Sequence, residues 1–213
     1  MPWFDKSISI VRNNLLIENK KSRRHSSGAD NVNLRIAKRL AGLRAERGFT
    51  LDALAKNTGL SRATLSRLER GELSPTATMM NSLCSQYGWT ASQLMAEAEA
   101  APSTMVRAKE QLKWKDPETG YVRRVVSPPH ERLKGELVEI ELPAGKIVSY
   151  PVSPVPRLEH HLWMLDGALT LEIEGSKFQL QKGDCIRYVL SGPSRFVNAS
   201  KHGARYVIAL IHP

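Results

Sequence analysis

Residues Phe49–Glu72, FTLDALAKNTGLSRATLSRLERGE, read as two short helices joined by a tight turn. The Thr50 hydroxyl can cap the free amides of the first helical turn, and Asp52 sits near that helix's positive end. Leu51, Leu54 and Ala55, at i, i+3 and i+4, share one face. Gly59 can adopt the positive φ that a sharp reversal needs, and Leu60 then plugs the angle between the helices. Ser61 caps a second helix that runs to about Arg70 and stops at Gly71. Leu65 and Leu68 turn inward, which leaves Arg62, Ala63, Ser66 and Arg67 on the open face. A short helix with arginines outside and leucines inside suits a DNA major groove.

The flanks supply partners for this pair. From Asn33 the period is helical, with Leu34, Ala37, Leu40, Ala41 and Arg44 along one face and Gly48 as the stop. After the central pair, Ser74 is expected to cap a fourth helix opened by Pro75, with Ala77, Met80, Leu83 and Cys84 inward and Tyr87-Gly88 as its end. Thr90 caps a fifth helix containing Leu94 and Met95. Five helices in about 65 residues are enough for a compact helical domain.

The chain has 213 residues, a formal net charge of +10 and 41% hydrophobic residues. A pI near 9.8 points to a polyanionic partner. Residues 1–32 are expected to be a disordered basic tail, and its run KKSRRHSSG places Lys20, Lys21, Arg23 and Arg24 where an arm could reach phosphates or a minor groove. No apolar run approaches the ~20 residues of a membrane span, and the N-terminus lacks the apolar core of a secretion signal. Cys84 and Cys185 lie far apart among apolar neighbours and are expected to be buried thiols in a reducing cytoplasm.

Residues 34–95, and SRATLSRLERGELSP above all, resemble the Xre/lambda-Cro helix-turn-helix family of bacterial and phage regulators. The resemblance implies base-edge contacts from Arg62, Ala63, Ser66 and Arg67, and a phosphate contact from Ser61. It also implies a buried ion pair between Arg44 and Glu69 that ties the first helix to the recognition helix. The family often starts its second helix with a glutamine that reaches a phosphate; Leu51 stands there, so that contact is lost or falls to Thr50.

Residues 99–119 are expected to form a polar linker, and from Gly120 the pattern changes to strands. YVRRVV, ELVEIEL, HLWMLDGALTLEIEG, KFQLQ, DCIRYVL, RFVNA and ARYVIALI alternate or run apolar. The turn pairs Ala144-Gly145, Asp166-Gly167, Glu174-Gly175 and Lys182-Gly183 lie among them. Many short strands with regular turns suit a sandwich or barrel. The stretch LWMLDGALTLEIEGSKFQLQKGDCIRYVLSGPSRFVN resembles a cupin, a double-sheet β-barrel, with Gly167 closing its first motif and Gly183-Asp184 opening its second. Catalytic cupins hold a metal with three histidines and a glutamate. Here SYPVSPVP occupies the place of the first two histidines, His160 that of the glutamate and Ser194 that of the last histidine. No metal, cofactor or catalytic residue is therefore expected. His160 and His161 are adjacent on a strand and cannot both face one interior. A metal-free barrel can still hold a ligand, and His160, Met164, Arg187, Tyr188, Ser194 and Phe196 are the candidate pocket residues.

The expected fold is α+β and multidomain, with a five-helix lambda-repressor-like domain over residues 33–98 and a cupin-like double-stranded β-helix barrel over residues 120–213. The expected function is a cytoplasmic transcriptional regulator, a repressor rather than an activator. It would bind double-stranded operator DNA as a homodimer and use its barrel to take a small effector, to dimerise, or both. Trp163, which faces away from Met164, would lie toward a second subunit. The rival readings are a metal-dependent cupin enzyme fused to a DNA-binding module, and an antitoxin-like helical module that docks on protein.

Overall fold

The computed structural model describes residues 28–96, 104–130 and 132–213. The basic run at residues 20–24 and most of the expected tail lie outside the described residues. Among those described, five α-helices precede ten β-strands. The helices are α1 (Gly28–Glu46), α2 (Leu51–Thr58), α3 (Arg62–Glu69), α4 (Ala77–Tyr87) and α5 (Ala91–Met95).

Local chemistry accounts for the helix ends. Thr50 Oγ1 accepts from Ala53 N at 3.1 Å, and Gly59 closes α2 at φ 72°. Ser61 Oγ accepts from Thr64 N at 3.0 Å to start α3. Thr90 and Gln93 form a reciprocal capping box on α5. At α4 the cap is Thr76, not the expected Ser74. A residue before proline is pushed out of the helical region, so Ser74 is held extended and the helix begins after the next hydroxyl. Helix α1 starts at Gly28, five residues before the expected Asn33. Its inward stripe is Val32, Ile36, Ala37, Leu40 and Leu43. Leu34, expected inside, is 50% exposed and covers the turn at Gly71, where an added Cβ would come 3.1 Å from Leu34 Cδ2.

The strands are β1 (Lys113–Lys115), β2 (Val122–Ser127), β3 (Gly135–Leu142), β4 (Ile147–Tyr150), β5 (Leu158–Asp166), β6 (Ala168–Ile173), β7 (Ser176–Gln181), β8 (Cys185–Leu190), β9 (Ser194–Val197) and β10 (Ala204–Ile211). They form two antiparallel sheets, ordered β1-β2-β3-β10-β5-β8 and β4-β9-β6-β7. Strand β1 falls in the stretch read as linker, and its Trp114 is buried against Tyr121. Gly167 lies at φ 75° where an added Cβ would stand 2.5 Å from the Gly203 carbonyl oxygen, so no side chain fits the β5–β6 turn.

Every second residue points between the sheets. Val138, Ile140 and Leu142 of β3, Leu162 and Met164 of β5, Leu169 and Leu171 of β6, and Tyr206 and Ile208 of β10 make the barrel core. In β8 the same alternation turns Ile186, Tyr188 and Leu190 inward and leaves Cys185, Arg187 and Val189 exposed. Cys185 is thus not the buried thiol expected, whereas Cys84 is buried and burial pushes its thiol up to about 12. Helix α4 packs on β4 and α1 on β1, so the two halves share one continuous apolar core. No helix among the described residues is long and apolar enough to cross a membrane.

Candidate functional site

Helix α3 is anchored from below and open above. Leu65 and Leu68 are buried against α1 and α2. Arg44 of α1 forks onto Glu69, with Nε 2.7 Å from Oε1 and Nη2 2.8 Å from Oε2, and Nη1 donates to the Phe49 carbonyl at 3.0 Å. The bidentate geometry fixes the rotation of α3 about its axis as well as its position. The Glu69 hydrogen bond, working against the cost of burial, raises the Arg44 pKa above its ordinary value.

On the opposite face Arg62, Ala63 and Arg67 are exposed, with Ser66 partly so. The structure brings together on one surface the residues named as base readers, with the exposed caps Thr50 and Ser61 beside them. Arg62 Nε stands 3.5 Å from Asp52 Oδ1, and both side chains are largely exposed. So solvated a pair is weak and leaves Arg62 available. Ser66 Oγ accepts from Arg70, whose Nε and Nη2 also hold Glu72 at 2.6 and 2.8 Å.

A cavity of about 70 Å³ lies where the barrel meets the helical domain. On the common measure of about 10–15 Å³ for one water, this is room for a small organic molecule. The barrel contributes Trp114, Tyr121, Arg123, Tyr150, His160 and Ser194, with Phe196 and Tyr206 stacked beside them at 6.0 Å. Helices α4 and α5 and the turn between them contribute Met80, Asn81, Cys84, Thr90 and Ala91.

Of the six pocket residues named from sequence, His160, Ser194 and Phe196 line this cavity. Tyr188 stands behind His160, its hydroxyl 3.1 Å from Nδ1. Met164 is buried in the core without reaching the lining. Arg187 is not a pocket residue; strand alternation puts it on the outer face, paired in register with His161. His160 and His161 do face opposite ways, and His161 Nε2 meets Glu159 Oε1 at 2.8 Å outside. Burial first, then the charge of Arg123, lowers the His160 pKa to about 3, so the ring is neutral at pH 7. Among the described residues no cluster of three His, Cys, Asp or Glu is arranged to hold a metal ion.

Two polar links tie the domains beside the cavity. Thr90 Oγ1 donates to the buried carboxylate of Glu136 at 2.9 Å, and His212 Nε2 lies 2.7 Å from the same group. Arg123 Nη2 donates to Ser92 Oγ of α5 at 3.3 Å. Sequence reading passed over Arg123. Its signal was the alternation Tyr121, Arg123, Val125, which puts the guanidinium on the same face as a buried tyrosine and a buried valine.

Residues 35–97 match a family model described as a helix-turn-helix domain. The chain is 25% identical over 173 residues to the HTH-type transcriptional regulator SutR of Escherichia coli, covering 81% of this chain and 92% of that protein. It is similar in structure to an HTH_3 family transcriptional regulator from Vibrio cholerae, with a TM-score of 0.71 and 23% identity over 87% of this chain and 99% of the other. That likeness covers both the helical and the β-rich halves. The cupin domain of an XRE family transcriptional regulator from Enterobacter cloacae aligns with 44% of this chain and 97% of its own length, at 20% identity and a TM-score of 0.42.

Proposed function

We propose that this chain, which carries a helix-turn-helix domain in front of a cupin-like barrel, is a sequence-specific transcriptional regulator that binds operator DNA as a homodimer and takes a small effector in the cavity between its domains. The observation that carries the reading is the exposed row Arg62, Ala63, Ser66 and Arg67 on a helix locked from beneath by Arg44 and Glu69. Arginine forks read guanine O6 and N7, each bidentate pair adding about 1–3 kcal/mol of discrimination. A net charge of +10 supplies attraction to phosphates.

Dimerisation draws support from the outer face of the six-stranded sheet, where Trp163 and Val189 are each 53% exposed and Trp163 pairs in register with Cys185. A two-fold dimer spans two half-sites about 34–36 Å apart. Such a dimer on a promoter excludes polymerase, which makes repression its mode of action. The barrel is a sensor and not a catalyst on this reading, since the cupin ligand positions hold His160 and Ser194. Cytoplasmic residence follows from the proposed partner, chromosomal DNA.

The test is capture of sheared genomic DNA by the purified protein at physiological salt, followed by mobility shift of each enriched fragment. A discrete set of fragments sharing a palindrome is expected. Uniform recovery of all DNA, or none, overturns the reading.

A further inference from the structure

We propose that the effector site takes a small organic carboxylate, held by the guanidinium of Arg123 with His160 as a second donor. This rests on the reading of the inter-domain cavity as an effector site and adds the chemical class of what enters it.

The first ground is charge. Arg123 is the one charged residue among those lining the cavity, and among the described residues no carboxylate lies within salt-bridge distance of it. The nearest acid on the same inner face, Glu136, is already engaged by Thr90 Oγ1 and by His212 Nε2. The hydrogen-bond partners of Arg123 are neutral, Ser92 Oγ and the Tyr121 side chain, and Glu136 acts on it only as a more distant charge. A guanidinium at the domain junction with no directly paired carboxylate, its nearest acid already engaged by two other groups, favours an anion.

The second ground is the set of polar atoms left unpaired. Four residues of the cavity wall each hold one buried polar atom without a partner: Asn81 Oδ1, Trp114 Nε1, Arg123 Nε and His160 Nε2. Trp114 Nε1 and Arg123 Nε can only donate. His160 is more than nine-tenths buried; when the Tyr188 hydroxyl donates to its Nδ1, the proton of the neutral ring sits on Nε2 and makes a third donor. With three donors against one acceptor, the wall favours a group that accepts over one that donates. An ionised carboxylate has two oxygens with about four lone-pair sites and no proton to place. An amine would bring protons to a wall with one free acceptor and a fixed positive charge. The carbonyl oxygen of an amide would satisfy two of the three donors and none of the charge.

The third ground is size and lining. Leu158, Ile208, Leu210 and Phe196 close the remaining wall, so the occupant has an apolar body behind its charged end. The volume suits a chain of a few carbons. Because Asn81 of α4 and Ala91 of α5 form the other side, the occupant touches the DNA-binding domain directly.

The test uses the full-length protein and straight-chain carboxylates of two to five carbons, each paired with its primary amide and its primary amine, at matched ionic strength with sodium chloride as control. Binding is read by isothermal titration and by thermal shift. At least one carboxylate should bind saturably and raise the melting temperature, with its amide and amine at least tenfold weaker. Arg123→Met should abolish that response, and Arg123→Lys, which keeps the charge and loses the fork, should retain it about tenfold weakened. Should Arg123→Met fail to fold, Arg123→Lys and His160→Phe carry the test, each with a melting curve of its own. Preferential binding of amides or amines overturns the carboxylate and leaves the effector reading standing. Binding that survives in every variant places the anion elsewhere and overturns the site. No saturable binding by any of the three classes overturns the carboxylate proposal.

Discussion

Glu69 and Arg44 show how much one pair settles. With side chains 11% and 24% exposed, they are shielded enough for a broken pair to strand a charge. Glu69→Ala is therefore expected to cost about 2 kcal/mol, less than the 3–5 kcal/mol typical of full burial. A denaturation midpoint equal to that of wild type would show that the pair does not hold α3. His160 couples the stability of the fold to pH. Its folded pKa, lowered to about 3 by burial, lies below the unfolded value near 6.5. The unfolded chain thus binds the proton first, and stability from this group is complete above pH 6.5 and is lost as pH falls toward 3. At pH 5 the loss amounts to about 2 kcal/mol. Urea melts of wild type and His160→Gln from pH 7 to pH 5 should show the wild type losing that much more; parallel curves would contradict the buried neutral ring.

Among the elements, α5 has five residues and owes its place to its ends more than to its length. Thr90 caps it from one side and donates to Glu136 of β3 on the other. Thr90→Val removes the cap and leaves a buried carboxylate short of a donor, a combined cost of about 2 kcal/mol. The same change to Thr76, which caps α4 without an inter-domain bond, should cost about half as much. Equal losses in the two variants would remove Glu136 from the junction. Helix ends of this kind were legible in sequence because caps are local: Thr50, Gly59, Ser61, Gly88 and Thr90 each act within a few residues. Ser74 misled because Pro75 alters the backbone of the residue before it. Strand β1 escaped notice because KWK shows one apolar residue between two lysines, and its burial comes from Tyr121 and α1, distant along the chain.

Across the whole molecule the boundary between the domains is itself a packed surface. The α4 side chain Thr78 donates to the Ser149 carbonyl of β4 at 3.3 Å, and the apolar core runs through from Leu54 to Tyr206. A polar linker was expected over residues 99–119; part of it is strand β1, and the cavity takes its walls from both domains. Sequence identified the inward residues His160, Ser194 and Phe196 on single strands but not Arg123, Asn81 or Thr90, whose meeting depends on how the domains dock. Arg187 and Tyr188 are adjacent on β8, so only one of that candidate pair could face inward, and the alternation selects Tyr188.

The recognition helix remains the centre of the account, and its specificity is the quantity to measure. For a fragment recovered from the genome, the ratio of specific to non-specific affinity should be determined for wild type and for Arg62→Ala/Arg67→Ala at one fixed salt concentration. The melting temperature of each protein should be measured alongside. The account predicts that the double variant melts like wild type while its specificity ratio falls by a factor of at least about 10². An unchanged ratio in a fully folded double variant would contradict it.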